Sequence, residues 1–302
     1  MKRLFFLLGA AALFVSGCGT VETLSQVGTS VAAAAGVITP QQAQSINRSV
    51  IAVEKTFESV TPEQEYWIGR TVAATLLSRQ KPLDDRAATE YLNTIGQYLA
   101  LCSDRPETYG GYHFLIVDSD DINAFAAPGG LILVYRGMLR CCRTEDELAA
   151  VLAHEVGHVE CKHGLQSISK SRITSALTIL GTEAAKNLAR HDVAELTKTF
   201  EGSISDITST MVNSGYSRAF EEQADQAAVG ILRKAGYNPA ALISMLQEME
   251  KRLKPGGLDF AKTHPDPRVR IKEIRSTLGG PETDTAIPAA RVMRFAVAMK
   301  GL

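Results

Sequence analysis

The sequence predicts an α+β fold that is mainly helical, with a small β-sheet beside one apolar helix. Apolar residues recur at helical spacing through most of the chain, and short β-rich runs lie between two of the helical segments. With 45% hydrophobic and 22% charged residues among 302, the chain is globular rather than disordered. Its formal net charge of −1 provides no basic excess, so we expect no nucleic-acid partner.

The chain begins like an export signal. Lys2 and Arg3 precede an apolar run, Leu4–Val15. As a helix this run would span about 18 Å, which is short of the roughly 30 Å of hydrocarbon that a membrane-spanning helix crosses. We therefore predict a signal peptide over residues 1–17.

The residues that follow predict a lipid anchor. Val-Ser-Gly-Cys at 15–18 resembles a bacterial lipobox, in which cleavage before Cys18 leaves lipid on that cysteine and residues 18–60 form a lipidated N-terminus and tether. Gly19, where retained lipoproteins carry aspartate, favours sorting to the outer membrane. We expect a protein of the bacterial cell envelope, bound to membrane lipid through Cys18 at the periplasmic face of the outer membrane. An ordinary signal peptide that happens to end at a cysteine is the alternative.

Two helices and then a sheet are predicted after the tether. Thr61 is a favourable N-cap ahead of Pro62, so the first helix begins there, and a second helix covers Arg86–Leu101. Strands are predicted over Tyr112–Val117 and Leu131–Tyr135, with Pro-Gly-Gly turn chemistry just before the latter. The sheet therefore lies between helical segments.

Helices dominate the rest of the predicted domain. A capping box of Thr144 and Glu147 begins one helix, and Gly164 stands where that helix would end. Two amphipathic helices follow over Ser217–Ala235 and Pro239–Leu253. The boundaries that follow are 61–280 for the folded domain and 281–302 for a C-terminal tail, irregular except for the apolar Val292–Met299.

Four cysteines lie beyond the predicted anchor: Cys102, Cys141, Cys142 and Cys161. In an oxidising envelope they could pair, and four cysteines allow three connectivities. Buried thiols are the alternative. The sequence assigns no pairing.

One helix carries the pattern His154-Glu155-Val-Gly-His158. Residues four apart lie on one helical face, so the two imidazoles can reach a single Zn²⁺. Glu155 is displaced around the helix and can act as a base on water beside the metal. The helix is otherwise mostly apolar and predicted to be buried, which argues against two solvated histidines on a polar face.

A catalytic zinc site needs a third protein ligand, and the sequence places candidates on a later helix. Glu221 and Asp225 are four residues apart on one face, so the first could bind metal while the second hydrogen-bonds a ligand imidazole or a substrate group. Glu222 is a rival for the same role, being three residues from Asp225. Spacing alone does not separate them, and a solvated acidic face is the alternative for both.

Several motifs in one order resemble the zinc metalloendopeptidase family of the CAAX prenyl protease, HtpX and the bacterial envelope proteases BepA and LoiP. They are HExxH at 154–158, Ser-Arg-x-x-Glu-x-x-Ala-Asp at 217–225, Asn-Ala-Phe-Ala-x-Pro-Gly-Gly at 123–130 and Thr-His-Pro at 263–265. The resemblance covers roughly Thr61–Leu278 and is nearest to the short lipoprotein branch.

The resemblance implies a gluzincin-type metalloprotease domain with one zinc ion per chain. Its ligands would be His154, His158 and Glu221, and its catalytic base Glu155. Asp225 would hold a ligand or donate a proton.

Two other histidines receive separate interpretations. His163 closes a His-x-x-x-x-His pattern whose five-residue offset is wrong for one helical face, so we interpret it as a helix C-terminal cap. His264 lies in a Pro-rich loop, where a surface turn is one reading and a gate over the active site, which the resemblance implies, is the other.

The predicted function is a zinc metalloendopeptidase that acts on unfolded or misassembled envelope proteins. An extended substrate would pair with a strand made by Asn123, Ala124, Phe125 and Ala126. The alternative is an envelope chaperone or assembly factor with a mainly structural zinc.

Overall fold

The computed structural model describes residues 60–167, 216–252, 267–279 and 286–302, all within one compact unit, Lys55–Leu302. The helices in these residues are α1 Pro62–Leu77, α2 Arg86–Leu101, α3 Arg136–Cys141, α4 Glu145–Glu160, α5 His163–Gln166, α6 Arg218–Ala235, α7 Ala241–Arg252, α8 Pro267–Leu278 and α9 Ala289–Ala298. The strands are β1 His113–Val117, β2 Ala124–Ala127 and β3 Leu131–Tyr135. The mainly helical α+β class is confirmed.

Capping residues begin the helices where the sequence predicts. The Thr61 hydroxyl accepts the N–H of Gln64 at 3.2 Å, and the Gln64 side chain accepts the N–H of Thr61 at 2.9 Å. The Thr144 hydroxyl likewise accepts the N–H of Glu147 at 3.1 Å. The second half of that predicted box is wrong, because the Glu147 carboxylate instead accepts the N–H of Arg143 at 2.6 Å.

The sheet has the strand order β1–β3–β2, with β3 parallel to β1 and antiparallel to β2. The chain reverses between β2 and β3 through Gly129 and Gly130, whose φ values of 78° and 97° suit glycine. Within the described part of the chain, β2 pairs with β3 alone and is an edge strand. This position leaves one side of its backbone unused by the sheet.

Helix α4 forms the centre of the fold. Its residues 145–159 are all buried, and it contacts α2, α6, α7 and β2. The buried apolar helix predicted around the HExxH pattern is therefore present. Because water is excluded on every side, the polar groups on α4 need partners within the protein.

The predicted end of this helix is wrong. Helix α4 ends at Glu160, and the chain turns at Lys162, whose φ of 55° lies in the left-handed region. Gly164 is not the terminating residue but lies inside the short helix α5. The turn redirects the chain, so His163 no longer follows the helical spacing of α4.

The C-terminal residues carry more structure than the sequence predicts. Helix α9 covers most of the apolar stretch and is joined to the start of α4 by ion pairs. The Arg294 guanidinium binds the buried Glu145 carboxylate, and Arg291 Nη1 lies 3.2 Å from Asp146 Oδ1. These pairs connect residues that are distant in sequence, so local patterns give no signal for them.

Some predictions fall on parts of the chain that are not described. The signal peptide, Cys18, the tether and His264 lie outside the described residues. Among the described helices, none is both long enough and apolar enough to cross a membrane. The proposed domain boundaries stay predictions.

No disulfide joins any two of the four cysteines after residue 100. Cys141 and Cys142 are buried, whereas Cys102 and Cys161 are partly exposed. Burial raises the pKa of Cys141 to about 11, which keeps its thiol protonated at neutral pH. For the adjacent Cys141 and Cys142, the alternative of buried thiols therefore holds.

Candidate active site

Three side chains from two helices converge in the interior. His154 and His158 lie one turn apart on α4, with their Nε2 atoms 3.0 Å from each other. From α6, Glu221 places Oε2 3.5 Å from His154 Nε2 and Oε1 3.4 Å from His158 Nε2. All three residues are buried, and one donor atom of each lies within 4.8 Å of the others. This group could hold a metal ion.

Glycine makes the close approach of α6 to α4 possible. A Cβ atom built on Gly157 would lie 2.9 Å from the carbonyl oxygen of Ala224 and 3.1 Å from the Cβ of Ala227. Glu221 is one helical turn before Ala224. The glycine inside the HExxH pattern therefore sets the distance at which the α6 carboxylate meets the α4 imidazoles.

We expect Gly157→Ala to weaken both the fold and the metal site. The added methyl forces α6 outward, and overpacking of this kind costs about 1–3 kcal/mol in the free energy of unfolding. Gly230→Ala on α6 is the matched control, since a Cβ there meets nothing within 4 Å and alanine favours a helix by about 0.5–1 kcal/mol. Thermal unfolding and zinc titration of both variants check this; equal behaviour of the two would contradict the packing argument.

The structure separates the two acidic candidates on α6. Glu221 is buried and faces the histidines, whereas Glu222 is exposed and lies near Gln226, whose side-chain amide donates to Glu222 Oε1 at 3.4 Å. Glu221 occurs on the buried face of α6 with Ala224 and Asp225. Only Glu221 of this acidic pair meets the imidazoles.

Asp225 and the buried Arg270 lie on the Nδ1 side of the His154 ring. His154 Nδ1 lies 2.9 Å from Asp225 Oδ1. Arg270 on α8 donates to both oxygens of the same carboxylate, from Nε at 2.9 Å and Nη2 at 2.7 Å, and its Nη1 lies 3.2 Å from Glu221 Oε2. Although burial acts to raise it, Arg270 and His154 lower the pKa of Asp225, so this carboxyl is ionised.

Glu155 lies in a different environment. Its side chain is buried, and neither carboxylate oxygen makes a hydrogen bond of ordinary geometry to the described residues. Burial first, and the Glu221 carboxylate second, raise the pKa of Glu155 to about 7, although His154 and Arg270 oppose the shift. The backbone of Ala126 on β2 also opposes the rise in the pKa of Glu155. A carboxyl that titrates near neutrality suits a general base.

Tyr216 contacts both the His158 ring and the edge strand β2. Its ring stacks on His158, with centroids 4.1 Å apart and planes at 19°. Its hydroxyl donates to the carbonyl oxygen of Ala126 on β2 at 3.3 Å. The described residues thus bring β2, Glu155 and the histidine pair together.

The interpretation of His163 as a helix cap is wrong. His163 is fully buried, with Nδ1 2.9 Å from His158 Nδ1 and Nε2 2.9 Å from Gln223 Oε1. The left-handed turn at Lys162 brings the His163 ring back to His158 on α4. The residue spacing of a continuous helix therefore does not apply to His163. Burial lowers the pKa of His163 to about 4, which leaves the ring neutral.

Sequence reasoning missed Arg270, Gln223 and Tyr216. Arg270 had a signal, because it occupies a position of the buried stripe of α8 otherwise held by Pro267, Ile271 and Ile274. A charged residue in such a stripe predicts a buried partner of opposite charge. Gln223 and Tyr216 carry no comparable pattern.

The donor set fits zinc. Two imidazoles and one carboxylate are the protein ligands of a common catalytic zinc arrangement, whereas magnesium and calcium prefer oxygen donors. With the imidazoles neutral, as metal binding requires, the buried carboxylates of Glu155, Glu221 and Asp225 face the one guanidinium of Arg270. A divalent cation would offset the excess of negative charge among these described groups.

Comparison with known proteins gives the same indication. The model of peptidase family M48 matches residues 86–278. The beta-barrel assembly-enhancing protease of Escherichia coli is 26% identical over 219 residues, which cover 70% of this chain and 43% of that protein. The corresponding protease of Yersinia pestis is 28% identical over 220 residues, covering 71% and 44%.

A further relative is a mitochondrial enzyme. The mitochondrial metalloendopeptidase OMA1 of Schizosaccharomyces pombe is 33% identical over 162 residues, which cover 52% of this chain and 43% of that protein. The chain therefore spans less than half the length of these relatives. The family predicted from the order of the motifs is confirmed: the chain belongs to peptidase family M48, a family of peptidase hydrolases.

Proposed function

We propose that this protein is a zinc-dependent endopeptidase with His154, His158 and Glu221 as metal ligands and Glu155 as catalytic base. The observation that carries the proposal is the buried group of two imidazoles and one carboxylate, with the carboxyl of Glu155 beside it. Membership of a peptidase family supports the same reaction class. One zinc ion per chain follows from the single donor group found in the described residues.

The side chains have separate tasks in peptide-bond hydrolysis. When bound, zinc acts as a Lewis acid and lowers the pKa of water. Glu155 accepts a proton from the attacking water and passes it to the amine nitrogen that leaves. Both oxygens of Asp225 are engaged by Arg270 and its pKa is lowered, so Asp225 orients His154 rather than donating a proton.

The outer edge of β2 is the proposed substrate-binding strand. The N–H of Tyr135 donates to the carbonyl of Asn123 at 3.0 Å, and from this pair the antiparallel alternation turns the backbone groups of Ala124 and Ala126 away from β3. An extended peptide could pair with these groups, taking over the hydrogen bond that Tyr216 makes to Ala126. Phe125 lies between them in the strand. Such pairing recognises the backbone of the substrate rather than its side chains.

The substrates we propose are unfolded or misassembled proteins of the bacterial envelope. Two relatives are named beta-barrel assembly-enhancing protease, and this name supports an envelope role. The lipobox-like residues before Cys18 support attachment to membrane lipid at the periplasmic face of the outer membrane.

Chelation tests the reaction class. The purified chain, loaded with zinc, should digest casein; excess 1,10-phenanthroline should stop digestion, and added zinc should restore it. The reason is that the two imidazoles and the Glu221 carboxylate cannot activate water without a cation. Digestion that continues in chelator, or no digestion by zinc-loaded protein, would overturn the proposal.

A further inference from the structure

A chain of three side chains leads from the metal ligand His158 through the buried His163 to the partly exposed Gln223. His158 Nδ1 lies 2.9 Å from His163 Nδ1, and His163 Nε2 lies 2.9 Å from Gln223 Oε1. His163 is 0% exposed and its ring stacks on Phe220, with centroids 4.5 Å apart and planes at 11°. Neither His163 nor Gln223 belongs to the proposed ligands or the catalytic base.

With Oε1 of Gln223 facing His163 and both imidazoles neutral, the hydrogen-bonding capacity of each atom sets the direction of these hydrogen bonds. The Oε1 atom of Gln223 is an acceptor only, so His163 Nε2 carries the hydrogen. A neutral imidazole has one N–H, which leaves His163 Nδ1 as an acceptor. The hydrogen between the two rings must then belong to His158 Nδ1, and His158 Nε2 keeps its lone pair.

We propose that His163 is a positioning residue that fixes His158 in the tautomer whose Nε2 can bind zinc. This inference rests on the proposed function, since it concerns the same metal site. His154 receives equivalent support from Asp225, whose Oδ1 lies 2.9 Å from His154 Nδ1. The two ligand imidazoles are thus held at Nδ1 by different groups, one a carboxylate and one a neutral imidazole.

Helix α6 would contribute to both halves of this arrangement. Glu221 reaches the imidazoles directly, while Gln223 and Phe220 hold His163 by a hydrogen bond and by ring stacking. The packing of α6 against α4 therefore sets the ligand carboxylate and the orientation of His158 together. A His-x-x-x-x-His pattern becomes informative once the turn after α4 returns the second ring to the first.

Substitutions at His163 separate hydrogen bonding from packing. Asparagine places an oxygen near the position of Nδ1, so His163→Asn keeps an acceptor for His158. His163→Gln places its amide near Nε2 and leaves His158 without that acceptor, and His163→Phe keeps a ring alone. We expect zinc affinity within about threefold of the unmodified protein for Asn and lower by about 10–100-fold for Gln and Phe, as for other groups that hold ligand histidines.

Zinc affinity is measured by competition with a chelating dye, with thermal unfolding of the metal-free proteins as the control for folding. Equal zinc affinity in all three variants, or a loss in His163→Asn as large as in His163→Phe, would overturn the inference. The failure of the proposed function looks different, because the unmodified protein itself would then bind no zinc or digest no casein.

Nitrogen-15 NMR of the zinc-loaded, unmodified protein tests the tautomers without any substitution. We expect hydrogen on His158 Nδ1 and His163 Nε2, and none on His163 Nδ1. Hydrogen on His163 Nδ1 would contradict the proposed direction. This measurement decides the question even if a variant fails to fold.

Discussion

Glu155→Gln should remove peptide-bond hydrolysis while the protein keeps its fold and its metal. The amide has nearly the shape of the carboxylate but cannot accept the proton of water, and general-base catalysis contributes about 10²–10⁴-fold to a rate. Glu155 is buried beside the metal-binding group and is not one of its three donors, so zinc should stay bound. The checks are kcat/KM on a fluorogenic peptide and zinc content per chain.

Glu160→Gln is the matched control for this change. Glu160 is the last residue of the same helix and partly exposed, and its carboxylate accepts the backbone N–H of Asp104 at 3.0 Å rather than belonging to the metal-binding group. Its activity should stay near that of the unmodified protein. Substantial hydrolysis by Glu155→Gln would contradict the assigned base. Full biological function of an inactive Glu155→Gln would favour the chaperone alternative over proteolysis.

Glu221→Gln should lose the metal and, with it, the activity. Replacing a residue that merely supports a ligand typically lowers metal affinity 10–100-fold, so we expect at least about 100-fold for the loss of a direct carboxylate ligand. A lower melting temperature in the presence of zinc should accompany the loss, because the folded variant no longer gains stability from a bound metal ion.

The adjacent residue offers the control. Glu222→Gln makes the same chemical change one position along α6, on an exposed side chain. Zinc affinity, melting temperature and kcat/KM should all remain close to those of the unmodified protein. If Glu222→Gln lost zinc and Glu221→Gln kept it, the ligand assignment would be wrong.

The elements of the fold could be predicted from the sequence because their signals are local. Thr61 and Thr144 cap helices through bonds three residues along the chain. The end of α4 could not be found in this way. The left-handed conformation of Lys162, rather than a glycine, terminates the helix, and nothing in the residue type requires it.

The site residues likewise divide into those with a local sequence signal and those that depend on tertiary structure. His154 and His158 share one helix, so their spacing alone predicts that both can reach one ion. Glu221 has a periodic signal that spacing arguments left unused, since it occurs on the buried face of α6 with Ala224 and Ala228 while Glu222 does not. His163 depends on tertiary structure, because its contact with His158 exists only after the chain turns.

The direct test of the ligand set is anomalous diffraction at the zinc absorption edge from crystals of the zinc-loaded protein. The account predicts one anomalous peak per chain, about 2.0–2.2 Å from Nε2 of His154, Nε2 of His158 and a carboxylate oxygen of Glu221. A peak bound by other residues, or no peak between these two helices in zinc-loaded crystals, would contradict it.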